Sequence, residues 1–255
     1  MNPSSFDFDA PVDRHGTSSM RWEKYAGRDV IALWVADTDF RAPPVVLEAL
    51  AARVAHGVLG YSVVPDELRS LIVERLARLY GWRVSLEWLV FLPGVVPGLH
   101  LAARHLAGPQ EHVLVPHPVY GHFSKAVQLA PRAASNMPLV LERGRWVFDE
   151  DAIRAAVRRE TRLLLLCNPQ NPGGTIFTRA ELARLARIAE QHDLIICSDE
   201  IHCDLLLEAD KPHVPIASLS PEISRRTVTL MSPNKTYNVA GAGCAFAVIE
   251  DAELR

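Results

Sequence analysis

Residues 162–200 read RLLLLCNPQNPGGTIFTRAELARLARIAEQHDLIICSDE. Two short apolar runs, 162–167 and 194–197, bracket a segment with the period of a helix. Thr178 and Glu181 stand at capping-box spacing, and Leu182, Leu185, Ile188 and Ala189 line one face. Strand, helix, strand at this spacing predicts a βαβ unit with parallel strands. Each strand runs directly into polar residues: Asn168-Pro169-Gln170-Asn171-Pro172 after the first, Ser198-Asp199 after the second. In an open α/β sheet, ligands bind outside the carboxyl ends of the strands.

The pattern extends in both directions. Residues 228–231 (VTLM) form another apolar run, ending in Ser232-Pro233-Asn234-Lys235, and 244–249 are a final strand candidate. Upstream, 89–92 read as a strand broken by Pro93-Gly94, and 95–106 as a helix closed by Gly108. Residues 113–115 read as a strand stopped by Pro116-His117-Pro118. Residues 149–160 read as a helix with Asp149 as N-cap. Pro43-Pro44 opens a helix over 45–54, and 66–79 is a helix with Leu68, Leu71, Ile72, Leu76 and Leu79 on its apolar face. The alternation from about residue 88 onward predicts a three-layer α/β domain with a mainly parallel sheet. Residues 1–45 lack that rhythm and are expected to be an arm or part of a small domain, with 46–255 as the large domain.

Composition narrows the function. The chain has 255 residues, 49% hydrophobic and 22% charged, with a net charge of −3. That balance speaks against a nucleic-acid partner. No apolar stretch approaches membrane-spanning length, and the N-terminus has no basic-then-apolar leader pattern, so a cytoplasmic protein is expected. Cys167, Cys197, Cys203 and Cys244 form no CxxC pair and are read as free thiols, mostly buried. His112, His117 and His122 straddle a strand and a Pro-rich turn, and no metal is expected.

The chemistry gathers at strand ends. Lys235 is one of only four lysines, against 23 arginines. A lysine amine attacks carbonyls when its surroundings lower its pKa; the competing reading is a surface lysine. Asp199 offers a carboxylate that can keep a pyridine nitrogen protonated. Its competing readings are a helix N-cap or a Mg²⁺ ligand, and the latter lacks the GxxxxGK[ST] loop it needs. Asn171, held between two prolines, can donate to a phenolic oxygen, or simply turn the chain. Gly94-Val95-Val96, a strand end entering a helix, can bind phosphate, with Ser232 adding a hydroxyl. Tyr120, in PVYG, can stack on a planar ring or pack the rim. Amine, carboxylate, amide, anion cradle and aromatic face together suit pyridoxal 5′-phosphate (PLP).

The segments NPQNPGG, SDEIHCDL and SPNKTYNVAG, in that order, resemble the fold-type I PLP-dependent enzymes of the class I/II aminotransferase superfamily. WVADTDF at 34–40, GYSVVP at 60–65, PGVVPGL at 93–99 and PVYGHF at 118–123 narrow the resemblance to the cystathionine β-lyase (C–S lyase) branch, of MalY/PatB type. The resemblance implies that Lys235 holds the cofactor aldehyde and acts as catalytic base. Asp199 would pair with the ring nitrogen and Asn171 with the phenolic oxygen. His202 occupies the place of a tyrosine found near that oxygen in many aminotransferases. Tyr120 would stack on the ring, and Val95, Val96 and Ser232 would hold the phosphate. Tyr61 would reach the phosphate of a neighbouring subunit, implying a homodimer with shared active sites. Ala36 lies in the segment lining the substrate carboxylate.

The implied reaction is C–S β-lysis of cystathionine or cysteine S-conjugates. An aminotransferase, or a catalytically silent PLP-binding fragment, are the alternatives. Relatives continue into a small C-terminal domain that supplies an arginine for the substrate carboxylate. This chain ends 20 residues after Lys235, so that domain is expected to be missing.

Overall fold

The computed structural model describes residues 7–208 and 210–255. The chain divides into two compact units: Met1–Val63 with Pro233–Gly243, and Val64–Ser232 with Cys244–Arg255.

The second unit is built on an eight-stranded sheet. Its strands are β1 (Leu89–Leu92), β2 (His112–His117), β3 (Ala133–Glu142), β4 (Arg145–Phe148), β5 (Thr161–Cys167), β6 (Ile195–Asp199), β7 (Thr227–Met231) and β8 (Ala245–Ile249). They lie in the order β1-β8-β7-β6-β5-β2-β3-β4. The pairs from β3 through β2, β5 and β6 to β7 are parallel; β4 with β3, β7 with β8 and β8 with β1 are antiparallel. Because β8 runs against both β1 and β7, β1 points the same way as β7. The carboxyl ends of β1, β2, β5, β6 and β7 therefore share one edge.

β5 shows why the sheet is buried on both sides. Leu163, Leu165 and Cys167 pack on one face with α4 (Val95–His105) and α5 (His122–Leu129). Leu164 and Leu166 pack on the other with α6 (Glu150–Ala156), α7 (Arg179–Gln191) and α8 (Pro221–Arg225). A strand covered on both faces reads as a continuous apolar run. A third cluster joins α3 (Asp66–Tyr80), through Ile72 and Leu76, to Leu89, Met231 and Val248. Helix α4 sits so close to the sheet that a Cβ on Gly98 would lie 2.9 Å from both Leu92 and Leu230.

The capping box of α7 forms as expected: Thr178 Oγ1 accepts from Glu181 N at 3.3 Å, and Thr178 N donates to Glu181 Oε2 at 2.7 Å. Arg145 on β4 clamps the same carboxylate, at 2.5 and 2.8 Å. Burial pushes the Glu181 carboxyl up, but Arg145 and Thr178 outweigh it and hold the pKa down at about 2.

Several local expectations are corrected. Pro116 does not stop β2, which runs on to His117 paired with β3. The pairing of β2 with β5 ends at Leu114–Leu164, so the missing Pro116 N–H interrupts no ladder there. Helix α6 ends at Ala156 rather than 160. Val157 turns extended, and Thr161 Oγ1 accepts from Arg158 N to lead the chain into β5. On α3 only Ile72 and Leu76 are buried; Leu68, Leu71 and Leu79 are exposed. No element is expected from the sequence at β3–β4, α5 or α8, although Phe123, Ala126 and Val127 of α5 stand at helical spacing.

In the first unit, α1 (Met20–Glu23) and α2 (Pro44–His56) are joined by irregular chain. Arg14 and Arg21 tie down the segment 36–40: Arg14 donates to Asp37 Oδ2 at 2.7 Å and Asp39 Oδ1 at 2.9 Å. Arg21, itself buried, donates to the Asp37 carbonyl at 2.6 Å and the Ala32 carbonyl at 2.5 Å. Helix α2 has no buried residue.

Candidate functional site

The strand order reverses between β2 and β5: the chain leaves β2 for β3 on one flank and returns to place β5 on the other. A crevice at such a switch point is where ligands bind in doubly wound sheets. Tyr120 follows β2 there and Asn171 follows β5.

The NPQNP segment is anchored through Asn168, Gln170 and Asn171. Asn168 Oδ1 accepts from Phe177 N at 3.2 Å, and its Nδ2 donates to the Val214 carbonyl at 3.2 Å. The Cys167 thiol accepts from Asn171 N at 3.4 Å. Gln170, buried, accepts from Gly173 N at 2.6 Å, and its Nε2 donates to the Pro118 carbonyl at 2.6 Å. A Cβ on Gly173 would lie 2.1 Å from Trp146 Cδ1, so only glycine allows this loop to close. The bonds before Pro118, Pro169 and Pro172 are cis.

Asp199 is the last residue of β6, not the residue after it, and is 6% exposed. Its Oδ1 accepts from Ile201 N at 3.1 Å. Its charge is felt nearby. Burial, and then Asp199, pushes up the thiols of Cys167 and Cys197 and the Tyr120 hydroxyl. Tyr120 is 40% exposed and lies with its ring 5.1 Å from His122. Burial, Lys125 and His100 lower the His122 pKa.

Behind Asp199 stands a buried pair. Glu200 Oε2 lies 2.7 Å from His213 Nε2, both side chains fully buried. Glu200 Oε1 accepts from Ser198 Oγ at 2.8 Å and from Ile216 N at 3.3 Å. The His213 ring meets Tyr80 edge-to-face at 5.4 Å, and Tyr80 donates to Asp204, which pairs with Arg75 at 2.8 Å.

At the carboxyl end of β1, Gly94 caps α4 and Val95 and Val96 are its first two residues. Helical N–H groups in the first turn have no intrahelical acceptor. Pro97, third in the helix, has no N–H, so the cradle is limited to the first two. After β7, Ser232 Oγ donates to the Cys244 carbonyl at 2.6 Å. His202 lies in the turn after β6.

Val95, Val96, Tyr120, Asn171, Asp199, His202 and Ser232 thus share the carboxyl edge of the second unit's sheet. Ala36, Tyr61 and Lys235 belong to the first unit. There Lys235 Nζ donates to the Ala36 carbonyl at 2.7 Å, and Tyr61 is fully exposed. Sequence reasoning passed over Gln170 and the Glu200–His213 pair. A polar side chain between two Asn-Pro steps was the available signal for Gln170; nothing local marked His213. Among the described residues, no cluster of three or more histidine, cysteine or acidic side chains is arranged for a metal, and no helix is long and apolar enough to cross a membrane.

This is the three-layer α/β architecture of the fold-type I PLP-dependent transferases. The family model described as aminotransferase class I and II matches residues 28–255, and the chain belongs to that family. It is 36% identical over 250 residues to cystathionine beta-lyase PatB of Bacillus subtilis (strain 168), covering 96% of this chain and 64% of that protein. It superposes on the crystal structure of OvoB with a TM-score of 0.95 at 47% identity, covering 98% of this chain and 66% of that one. The PLP-bound C-S lyase from Staphylococcus hominis gives a TM-score of 0.92 at 33% identity, covering 98% of this chain and 64% of that one. The chain spans just under two thirds of the length of each of these relatives.

Proposed function

We propose that this chain is the PLP-binding part of a C–S β-lyase that converts cystathionine or related cysteine S-conjugates to a thiol, pyruvate and ammonia. The observation that carries the reading is Asp199: a carboxylate almost wholly buried at the carboxyl end of a central strand, beside the switch-point crevice.

The donor set fits the cofactor chemically. Asp199 matches a protonated ring nitrogen by a charge-assisted hydrogen bond. The N–H groups of Val95 and Val96, at the positive end of α4, match a phosphate, with Ser232 beside them in the reading. Asn171 donates to the phenolic oxygen, with His202 as its neighbour, and the half-exposed Tyr120 covers a ring face. When bound, the cofactor's protonated ring withdraws electrons from the substrate Cα.

Lys235 is the reactive amine. It would hold the cofactor at its aldehyde, and its Nζ would take the substrate Cα proton as general base. Asp199 keeps the ring nitrogen protonated throughout. The Ala36 segment lines the substrate carboxylate. Residues 1–45 would be an N-terminal arm or part of a small domain, and 46–255 the cofactor-binding large domain. The names cystathionine beta-lyase for PatB and C-S lyase for the Staphylococcus hominis enzyme favour elimination over transamination. The family description keeps an aminotransferase as the second reading, with the same cofactor contacts.

The same reading makes the protein a homodimer in which Tyr61 of one protomer reaches the phosphate bound by the other. Support comes from the full exposure of Tyr61 and from α2, where Val45 and Val54 stand more than two-thirds exposed (69% and 68%).

The test is incubation with PLP and cystathionine, following pyruvate and free thiol. Release of both supports the lyase. Pyridoxamine phosphate accumulating without pyruvate replaces it with the aminotransferase. No cofactor uptake rejects the PLP reading itself.

A further inference from the structure

Lys235 does not meet the Ala36 carbonyl by chance of two flexible segments. The turn carrying the lysine is closed by Tyr237 N donating to the Pro233 carbonyl and Val239 N to the Asn234 carbonyl, each at 3.0 Å. The same turn presents Asn238, three residues on. Asn238 Nδ2 donates to the Thr38 carbonyl at 3.0 Å and the Phe40 carbonyl at 2.9 Å, while its Oδ1 accepts from Thr38 N at 3.0 Å. Asn238 has a φ of 53°, a left-handed conformation that asparagine tolerates better than most residues. One side chain thus makes three hydrogen bonds to a segment some 200 residues away in sequence. That segment begins at Ala36, and Arg14 and Arg21 brace it from the other side through Asp37 and Asp39.

We infer that Asn238 is a positioning residue for the Lys235 amine, acting through the Ala36 carbonyl that it holds in place. The functional weight of this rests on the reading of Lys235 as the reactive amine; the clamp itself rests on geometry. The Ala36 carbonyl accepts a hydrogen bond from Nζ at 2.7 Å, so the amine is oriented by the backbone rather than left to its four-carbon stem. An ammonium that donates to a fixed carbonyl is less available as a nucleophile. Releasing that carbonyl makes the amine more reactive toward an acylating reagent and less well placed for a bound aldehyde.

The test uses the chain without added cofactor. Trace acetylation with acetic anhydride, read by peptide mass spectrometry, reports all four lysines in one experiment. Asn238→Gly removes the clamp without straining the left-handed backbone. Asn238→Asp keeps the shape but loses both donations. The expected result is a rise in Lys235 labelling of about fivefold in each variant, the equivalent of one hydrogen bond of about 1 kcal/mol. Lys24 is the control within the same unit, because its amine is held 4.0 Å over the Trp34 ring. It should not change. Lys235 labelled at the wild-type rate in both variants overturns the inference. So does a parallel rise at Lys24, which would mean the unit had loosened as a whole. A second arm adds PLP and borohydride to the wild type. A missing pyridoxyl group on Lys235 rejects the cofactor reading, while the acetylation ratios still decide the clamp.

Discussion

Gln170 Nε2 donates to the Pro118 carbonyl at 2.6 Å, joining the loop that carries Tyr120 to the loop that carries Asn171. The bond crosses the switch point of the sheet, so the two walls of the crevice are set relative to each other by one buried amide. Gln170→Ala leaves the Pro118 carbonyl and the Gly173 N–H without their partner. Pro118 is half-buried and Gly173 exposed, so water can replace part of each bond and the cost is about 1 kcal/mol per hydrogen bond. Urea denaturation should show a loss of that size, and a PLP titration followed by absorbance should show weaker binding.

In the proposed reading, Asp199→Asn removes the charge that would hold the cofactor's ring nitrogen protonated. Pyruvate release should fall by about 10²-fold or more, the scale seen when one preorganised electrostatic group is deleted. The same substitution has a readout without cofactor. Burial and the Asp199 charge both raise the Tyr120 pKa, so neutralising Asp199 should let that phenol ionise at lower pH in a difference titration. A Tyr120 titration that does not move would show that the carboxylate is not charged in the crevice.

Glu200→Ala leaves His213 buried beside an emptied site. Ser198 Oγ, the Ile216 N–H and His213 Nε2 lose their hydrogen-bond partner; leaving a buried polar group unsatisfied costs about 1–3 kcal/mol, and the chemical denaturation midpoint should drop accordingly. Glu200→Gln retains acceptors for Ser198 and Ile216 N and should lose clearly less. Equal losses would mean that the retained shape and acceptor add nothing beyond the carboxylate itself.

Gly173→Ala places a methyl group 2.1 Å from Trp146 and 2.5 Å from Gln170 Oε1. Overpacking of this kind costs about 1–3 kcal/mol. The thermal midpoint should fall, and Trp146 fluorescence should shift as the ring is pushed aside. Gly144→Ala on the β3–β4 hairpin, which has a positive φ but open space around it, separates backbone strain from collision.

The acid limb of stability has an identifiable contributor. Glu181 titrates at about 2 in the folded chain, below its ordinary value of 4.5. A depressed carboxyl pKa stabilises the fold fully above the unfolded value, and the contribution fades as pH falls from about 4.5 toward 2. Because the Arg145 partner is one-third exposed, at 34%, the effect should be on the order of 1 kcal/mol. Glu181→Gln should flatten stability against pH over that window and leave the neutral-to-alkaline range unchanged in slope.

How much was legible followed from where each element gets its stability. β5, α7 and β6 were readable because burial on both faces, a capping box and an apolar helix face are local signals. The rim residues followed once those strands were placed, since a strand end fixes what comes next. The hairpin β3–β4 was not legible: β3 ends at exposed residues, and its buried positions Ser135, Met137 and Leu139 include a polar residue and alternate with Asn136 and Pro138, both poor strand formers. Pro116 misled for a related reason, because a proline is tolerated only where the neighbouring ladder has ended, and that depends on β5. Gln170 and Asn238 were invisible because their value lies in partners 52 and 200 residues away.

The two cysteines beneath the rim carry one more consequence. The thiolate, not the thiol, takes part in disulfide exchange. Cys167 and Cys197 are buried, and both burial and the Asp199 charge keep them protonated. A catalyst that sets free a sulfur nucleophile at this edge of the sheet would then keep its own sulfur out of exchange. The carboxylate that serves the reaction would also protect the protein from mixed disulfides with its product.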